Sequence, residues 1–330
     1  MKHTNVALFT VHEGCPHRCS FCNQRHISGS AERLTPADVH RAAAVALNGR
    51  QAVPGGEIAF FGGSFTLMER EYMLSLLAAA KEHVDNKEFS GIRISTRPDG
   101  ISDDICRILK AYGVTAVELG AQSMDDRVLA LNGRGHTAAR VIEASRMLQA
   151  YGFSLGLQMM TGLYGSSDED SIATAEAIIR LKPATVRIYP TVVMEHTELA
   201  RLMQSGAYRP QTPEEAAELG STLLLMFHRA SIPVIRFGLH AGGDVEGHYI
   251  GGAYHPALRE LAESRIYYKA AVAAAADRKG KAVISVAPTA ISKMAGQKRE
   301  NMIKLRQAGI FAALRADPSL GEYEVKLDFE

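Results

Sequence analysis

Short apolar stretches alternate with longer amphipathic segments along the first 190 residues of the chain. The apolar stretches have the length and β-branched content of strands, and they cover 5–11, 57–63, 91–96, 114–120, 153–160 and 184–190. Between them, apolar positions recur with the helical period over 38–49, 69–84, 103–112, 138–151 and 169–181. Regular alternation of strands and helices predicts a parallel sheet, because right-handed crossovers keep successive strands in one direction.

Six such units predict an α/β fold, a partial (β/α)6 TIM-like barrel whose sheet curls around a central space. An open, doubly wound sheet is the alternative. The alternation weakens after residue 190, where we expect an irregular segment over 191–211, then a helix over 213–231 and a strand over 232–237. We therefore predict a barrel domain at 1–230 and a C-terminal α/β extension at 231–330.

The extension combines a glycine- and histidine-rich loop with further regular elements. After the loop we expect a helix over 257–276, a strand over 281–287, a helix over 290–308 and a strand over 322–329. The loop contains His240, His248, Tyr254 and His255, and two interpretations stay open, a substrate lid over the barrel mouth and an ordinary surface loop.

A basic stretch lies within the last predicted helix. Its cations are Lys293, Lys298, Arg299, Lys304 and Arg306. Such a stretch is typical of contacts with RNA phosphates, and a solvated helix face is the alternative.

Composition and charge narrow the range of partners. The 330 residues have a formal net charge of +1, so no field of the whole molecule attracts nucleic acid or membrane, and such a partner has to meet a local patch. No stretch approaches the roughly 18 apolar residues of a spanning helix, and the apolar run at the N-terminus is too short for a signal peptide. We expect a cytoplasmic protein without membrane contacts, in which thiols stay reduced.

Three of the four cysteines, Cys15, Cys19 and Cys22, directly follow the first predicted strand. In a parallel barrel this is where chemistry resides, because the loops at the carboxyl ends of the strands meet there. A zinc site would combine Cys19 and Cys22 with His17 or His26, but structural zinc sites usually add a second, distant pair of ligands. A redox dithiol would leave Cys15 unused.

An iron–sulfur site uses all three clustered cysteines. Each thiolate would bind one iron of a [4Fe–4S] cluster and leave the fourth iron open to another ligand. The fourth cysteine, Cys106, lies in the middle of a predicted helix and is expected to be a small buried hydrophobic residue.

The spacing C-x3-C-x2-C, with an aromatic residue before the last cysteine and a β/α barrel behind it, resembles the radical S-adenosylmethionine (SAM) superfamily. Further segments resemble the radical domain of the Elongator catalytic subunit, and the similarity runs from about residue 5 to about residue 230. These segments are "FFGGSF" (60–65), "STRPDGI" (95–101), "VELGAQSMDDRVLALNGRGHT" (117–137), "LQMMTGLYG" (157–165) and 186–215. The oxygen-independent coproporphyrinogen oxidases share parts of this pattern more loosely.

The resemblance implies a [4Fe–4S] cluster on Cys15, Cys19 and Cys22, with SAM bound to the open iron. Reduction of the cluster would cleave SAM to a 5′-deoxyadenosyl radical, which abstracts hydrogen from a substrate. It further implies a reductant such as flavodoxin or ferredoxin, and RNA as the leading substrate class. A small-molecule substrate, or a non-catalytic protein that handles a cluster or haem, are the alternatives. The acetyltransferase domain of the Elongator subunit is not expected, since about 140 residues follow Pro190.

The resemblance also implies which residues bind SAM. Glycines allow close backbone approach, a hydroxyl suits the ribose and a cation suits the carboxylate. The residues assigned to SAM are Phe21, Gly62, Gly63, Ser95, Thr96, Arg97, Glu118, Gln122 and Arg187. From the residues alone, other interpretations stay open: a simple turn at the glycine pair, an N-terminal cap for the following helix at Arg97–Pro98–Asp99, an ion pair between Glu118 and Arg187, and a solvated loop for Arg134 and His136.

Overall fold

The computed structural model describes residues 5–10, 13–16, 19–23, 33–239 and 245–330. Within them, seven parallel strands form the main sheet, in the order β1-β2-β3-β4-β5-β6-β8. The strands are β1 (Asn5–Thr10), β2 (Glu57–Gly62), β3 (Gly91–Thr96), β4 (Val114–Gln122), β5 (Ser154–Thr161), β6 (Thr185–Pro190) and β8 (Val234–Phe237). The predicted α/β half-barrel is confirmed. The strand expected at 232–237 is its seventh strand.

Helices connect the strands and cover the outer face of the sheet. Those of the sheet region are α1 (Pro36–Leu47), α2 (Arg70–Asp85), α3 (Asp103–Ala111), α4 (Asp126–Leu131), α5 (Ala138–Ala150), α6 (Asp168–Arg180), α7 (Glu198–Gln204) and α8 (Pro213–Arg229). Several begin with a side-chain cap, and in α1, α6 and α8 the cap is a reciprocal capping box. Local sequence thus defines where these helices start.

The apolar core lies between the helices and the outer face of the sheet. Side chains that alternate along the central strands are fully buried there, among them Ile58, Phe60, Ile92, Ile94 and Leu157. Cys106, in α3, belongs to this core, as expected for a small hydrophobic residue. Burial raises the pKa of its thiol to about 11, which keeps it protonated and unreactive.

The opposite face of the sheet is concave. The guanidinium carbon of Arg187 on β6 lies 5.1 Å from the ring centroid of Phe61 on β2, although these strands are four positions apart in the sheet. In a flat sheet four spacings of about 4.8 Å would separate them, which exceeds the reach of an arginine. The sheet is therefore curled, and its inner face encloses a common space.

Two smaller sheets complete the described structure. Strands β7 (Val192–Met194) and β9 (Tyr249–Gly252) form an antiparallel pair. The short helix α9 (Val245–His248) directly precedes β9. Helix α7 and strand β7 lie within 191–211, so the prediction of an irregular segment was wrong there. The pairing of β7 depends on a strand that lies more than 50 residues away, which local pattern does not reveal.

The C-terminal region contains a second core. Strands β10 (Gly280–Val286), β11 (Ile310–Ala316) and β12 (Val325–Phe329) form a three-stranded sheet in the order β11-β10-β12. It packs with α10 (Leu258–Ala275), α11 (Ile291–Ala295) and α12 (Glu300–Gln307). The predicted boundary at residue 230 stays a prediction.

The continuous helix expected over 290–308 is wrong. Gly296 ends α11, and Lys298 and Arg299 both have positive φ angles, so the chain turns before α12 begins. Strand β11 was not predicted. Among the described residues, no helix is long and apolar enough to cross a membrane.

Candidate functional site

The three clustered cysteines lie in the segment that follows β1, and each is partly exposed. The segment is attached to two other parts of the fold. The Ser20 amide donates to the carbonyl oxygen of Asn132 at 3.1 Å and its hydroxyl to the Asn132 side chain at 2.7 Å, while the Ser20 carbonyl accepts from the amide of Leu199. The end of α4 and the start of α7 therefore hold the cysteine segment at the carboxyl ends of the strands.

The glycine pair after β2 attaches the cysteine segment to the sheet. The amide of Gly63 donates to the carbonyl oxygen of Thr10 at 2.7 Å, and the amide of Ser64 donates to that of Glu13 at 2.8 Å. A Cβ at Gly63 would lie 2.2 Å from the Glu13 oxygen, and one at Gly14 would lie 2.2 Å from the Ser64 oxygen. Two backbones therefore meet too closely for a Cβ at either position. The predicted approach of Gly62 and Gly63 to SAM stays a prediction.

The residues at the end of β3 have unequal environments. The Thr96 hydroxyl is buried and lies 2.7 Å from that of Thr66 and 3.1 Å from that of Ser64, so it links β3 to the segment after β2. Ser95 is on the concave face, where its hydroxyl accepts from the Gln158 amide at 3.3 Å. Of the two predicted hydroxyl groups, Ser95 is therefore the one that faces the concave space.

Arg97 and Arg134 bring two buried cations to the cysteines. Arg97 pairs with Asp99 at 2.9 Å and also donates to the carbonyl oxygen of Arg134. Arg134 donates to the sulfur of Cys19 at 3.1 Å and to the carbonyl oxygen of Gly120 at 2.7 Å, and it has no carboxylate partner within the described structure. Arg97 Nη1 and Arg134 Nε are buried and make no hydrogen bond with any of the residues described.

Cys19, Arg97 and Arg134 all lie close enough to Cys15 to act on the charge of its thiol. Burial raises the pKa of the Cys15 thiol, the neighbouring Cys19 raises it further, and Arg97 and Arg134 act in the opposite direction. A buried guanidinium without a carboxylate requires another source of negative charge. Thiolates that bind a metal cluster supply that charge.

Arg134 and His136 do not lie on a solvated loop, so that open interpretation of the two residues was wrong. Both are buried, with exposed fractions of 6% and 8%. Burial, together with Arg134 and Arg97, lowers the pKa of His136 to about 4, so its ring is neutral at pH 7. In the sequence, the only indication that these two residues are functional was the "NGRGH" segment, and its role depends on contacts with the distant cysteine segment.

Two other predicted SAM residues have defined surroundings. Phe21 packs on an apolar cluster around Val193, Leu199 and Tyr208, next to β7 and α7. Gln122 ends β4 with a positive φ of 64°, and its side-chain oxygen is buried without a hydrogen bond. Both assignments to SAM stay predictions.

Glu118 is at the centre of an ion-pair network on the concave face. Its carboxylate lies 2.6 Å from Arg187 Nε, and it accepts from Arg187 Nη2 at 2.9 Å. It also accepts from Arg93 at 3.2 Å and from the Gln158 amide at 2.9 Å. With 1% of its surface exposed, Glu118 makes the ion pair with Arg187 that was one of the interpretations left open, and its predicted contact with SAM stays a prediction.

The cysteines and their neighbours can be compared with two kinds of metal site, a single metal ion and a cluster. Within the described residues, no three His, Cys, Asp or Glu side chains are close enough to share one metal ion. The zinc alternative involves His17 and His26, which lie outside the described residues. A [4Fe–4S] cluster does not require the three thiolates to meet at one point, because each thiolate binds a different iron. Three partly exposed cysteines on one loop can bind in this way, and Arg134 lies next to them without a carboxylate partner in the described structure.

Two protein-family models together match most of the chain. A family model described as "Radical SAM superfamily" matches residues 9–178, and one described as "Radical_SAM C-terminal domain" matches 183–268. A tRNA uridine(34) acetyltransferase of Methanocaldococcus infernus is 30% identical over 183 residues, which cover 49% of this chain and 34% of that protein. Human Elongator complex protein 3 is 28% identical over 231 residues, covering 64% of this chain and 41% of that protein. The chain thus spans less than half the length of these relatives.

Among solved structures, the archaeal Methanocaldococcus infernus Elp3 with an N-terminal deletion superposes with a TM-score of 0.63 at 23% sequence identity. The match covers 81% of this chain and 63% of that one. At this identity the likeness concerns the fold.

Substitution of Gly63 by alanine tests the contact between the two backbones. We expect Gly63→Ala to lower the melting temperature, by an overpacking cost of about 1–3 kcal/mol, and to reduce the iron content after anaerobic reconstitution, because the backbone at Thr10 and Glu13 has to shift. Gly321→Ala is the control, since its Cβ would meet only a flexible carboxylate at 3.4 Å. Loss of SAM affinity with unchanged stability and iron content would instead support the original interpretation of the glycine.

Substitution of Glu118 by glutamine tests the ion-pair network. Two buried arginines would lose a shared carboxylate, and removal of one partner of a buried ion pair typically costs about 3–5 kcal/mol. Urea unfolding of Glu118→Gln should show a loss of this size. Glu198→Gln, which removes the partner of exposed Arg201, should change stability by less than about 0.5 kcal/mol. Equal, small losses in both variants would contradict the network's role.

Proposed function

Because the chain belongs to the radical SAM superfamily, we propose that it is an enzyme that cleaves SAM reductively and abstracts a hydrogen atom from RNA. The observation that carries the first half is the group formed by the cysteine segment and Arg134, whose guanidinium contacts Cys19 and has no carboxylate partner in the described structure. The second half is supported by the relatives, which are named for tRNA uridine modification and for Elongator.

We assign the cluster to Cys15, Cys19 and Cys22. When bound and reduced, the [4Fe–4S] cluster supplies one electron that splits SAM into methionine and a 5′-deoxyadenosyl radical, which takes a hydrogen atom from the substrate. Arg134 holds Cys19 and balances the negative charge of the thiolates. Arg97, whose Nη1 is free within the described structure, is suited to the carboxylate of SAM.

The concave face is the surface that the substrate would meet. It carries the hydroxyl group of Ser95, the amide of Gln158 and the rings of Phe61 and Tyr189 beside the arginine network. A polar inner face with aromatic rings suits a heterocyclic base, which stacks and accepts hydrogen bonds. A reductant such as flavodoxin or ferredoxin would provide the electron, and a cytoplasmic location stays a prediction from composition.

The basic stretch near the C-terminus is the second support for RNA. In the structure Lys293 pairs with buried Glu263 and Lys304 pairs with Glu300, so they are not free to bind phosphates. Lys298 and Arg299 are exposed on the turn between α11 and α12 and form no ion pair within the described structure. Arg306 in α12 is likewise exposed and forms no ion pair with the described residues, so the proposed contact comprises this turn and Arg306.

The cysteine assignment predicts the metal content. Protein reconstituted without air should contain about four iron and four sulfide per chain and should form 5′-deoxyadenosine from SAM and dithionite. Cys15→Ala, Cys19→Ala and Cys22→Ala should each lose most of the iron, whereas the matched variant Cys106→Ala should keep it, because that thiol is in the core. Stoichiometric zinc without iron would contradict the proposal.

The turn predicts the salt dependence of RNA binding. Lys298→Ala combined with Arg299→Ala should weaken binding of bulk tRNA at low salt and reduce the salt slope by about one unit per lost phosphate contact. The control is Arg180→Ala with Lys182→Ala, which removes two exposed cations at the end of α6 and just beyond it, the second of them also at positive φ. Identical salt slopes for all three proteins would remove the turn from the RNA site.

The substrate class has its own test. RNA from cells with and without the gene, digested to nucleosides and compared by mass spectrometry, should differ in at least one modified nucleoside. Identical nucleoside profiles, together with 5′-deoxyadenosine formation that RNA does not stimulate, would favour a small-molecule substrate.

A further inference from the structure

The charges on the main sheet do not balance. Five charged residues lie on its seven strands, and contacts or strand register place all of them on the concave side: Glu57, Arg93, Glu118, Arg187 and Arg236. Three arginines against two glutamates leave one positive charge in excess. Such an excess inside a fold is costly unless another group supplies negative charge.

The excess belongs to Arg236. Arg93 lies between the two glutamates, 2.7 Å from Glu57 and 3.2 Å from Glu118, and Arg187 binds Glu118 through two nitrogens. Arg236, by contrast, makes no ion pair and donates no side-chain hydrogen bond within the described structure. Its Nη2 is buried and has no hydrogen-bond partner among the described residues.

The neighbours of Arg236 do not compensate its charge. In the strand register it is opposite Arg187, and the groups that act on it electrostatically are Tyr189 and Arg187. Burial lowers the pKa of its guanidinium, Tyr189 acts against this, and Arg187 adds to it. A half-buried guanidinium next to a second cation, with a phenol nearby, is a site that favours an oxyanion.

The position of Arg236 separates it from the cysteine end of the fold. It lies on β8, one edge of the main sheet, whereas the cysteine segment follows β1 at the other edge. The cysteine end has its own buried cations, Arg97 and Arg134. Arg187 is opposite Arg236 in the strand register, and its guanidinium lies over the ring of Phe61 on β2. A group bound at Arg236 therefore still lies in the same concave space.

We propose that Arg236 is a binding subsite for an oxyanionic group of the substrate, a phosphate or a carboxylate, with Tyr189 as a neighbouring hydroxyl donor. Arg187 stays paired with Glu118 and adds positive potential without taking up the ligand. The identity of the occupant as the substrate rests on the proposed function, whereas the anion site itself depends only on the charges of the sheet.

The experiment measures the melting temperature against increasing inorganic pyrophosphate and, separately, succinate, with ionic strength held constant. It compares the wild type, Arg236→Gln and the control Arg107→Gln, which removes a cation from the exposed outer helix α3. A ligand that binds only the folded state raises the melting temperature in proportion to its affinity. We expect at least one probe to stabilise the wild type and Arg107→Gln alike, with an apparent affinity at least about tenfold weaker in Arg236→Gln. Pyrophosphate alone as the effective probe would indicate a phosphate, and succinate alone a carboxylate.

The stability of Arg236→Gln, together with a second variant, Arg236→Lys, distinguishes loss of anion binding from a general loss of folding. Arg236→Gln should melt at least as high as the wild type in anion-free buffer, because the change removes an unbalanced charge, and Arg236→Lys should keep part of the response to anions. No saturable effect of either probe on the wild type, or equal effects on wild type and Arg236→Gln, would overturn the inference. So would a loss of SAM affinity in Arg236→Gln with unchanged response to the probes.

The same titrations on cluster-free and cluster-loaded protein separate the two proposals. If the protein binds neither iron nor SAM but still responds to anions through Arg236, the proposed function fails and the anion site remains. If iron and SAM bind normally while the anion response is missing or independent of Arg236, the anion site fails alone.

Discussion

One buried carboxylate organises the inner face of the sheet. Glu118 accepts from arginines on β3 and β6 and from Gln158 on β5, so it joins strands on both sides of its own. Burial of a charge without a partner costs several kcal/mol, and Glu118 provides that partner for two of the three arginines on this face. The concave side of the sheet is therefore held by ion pairs, whereas the outer side packs as an apolar core.

The cysteine segment depends on the same sheet but on different forces. Backbone hydrogen bonds from Gly63 to Thr10 and from Ser64 to Glu13 set its beginning, and Ser20 fixes its middle to Asn132 and Leu199. Arg134, in the segment between α4 and α5, then contacts its central cysteine. Elements that are far apart in sequence therefore place the three thiols, so a change in the packing of any one of them affects the position of the proposed cluster.

Most of the fold could be predicted from the hydrophobic pattern, because strands and helices of the β/α unit bury their apolar faces with distinct periods. The predictions were wrong where local pattern does not decide. The strand β7 exists through pairing with β9, and the helix expected over 290–308 is interrupted at Gly296, where Lys298 and Arg299 adopt positive φ in spite of good helical propensity. In the site, the burial of Arg134 and His136 had no local signal beyond the motif.

The sequence by itself determined the α/β class, the three adjacent cysteines after the first strand and the family resemblance, because periodicity and motif spacing are properties of neighbouring residues. Tertiary structure alone decided which charges meet. It paired Glu118 with Arg187, used Gly63 for an approach of two backbones, and left Arg236 without an acidic partner among the residues that the structure describes. The physical reason is that electrostatic balance inside a sheet depends on curvature and register, which bring together residues from distant strands.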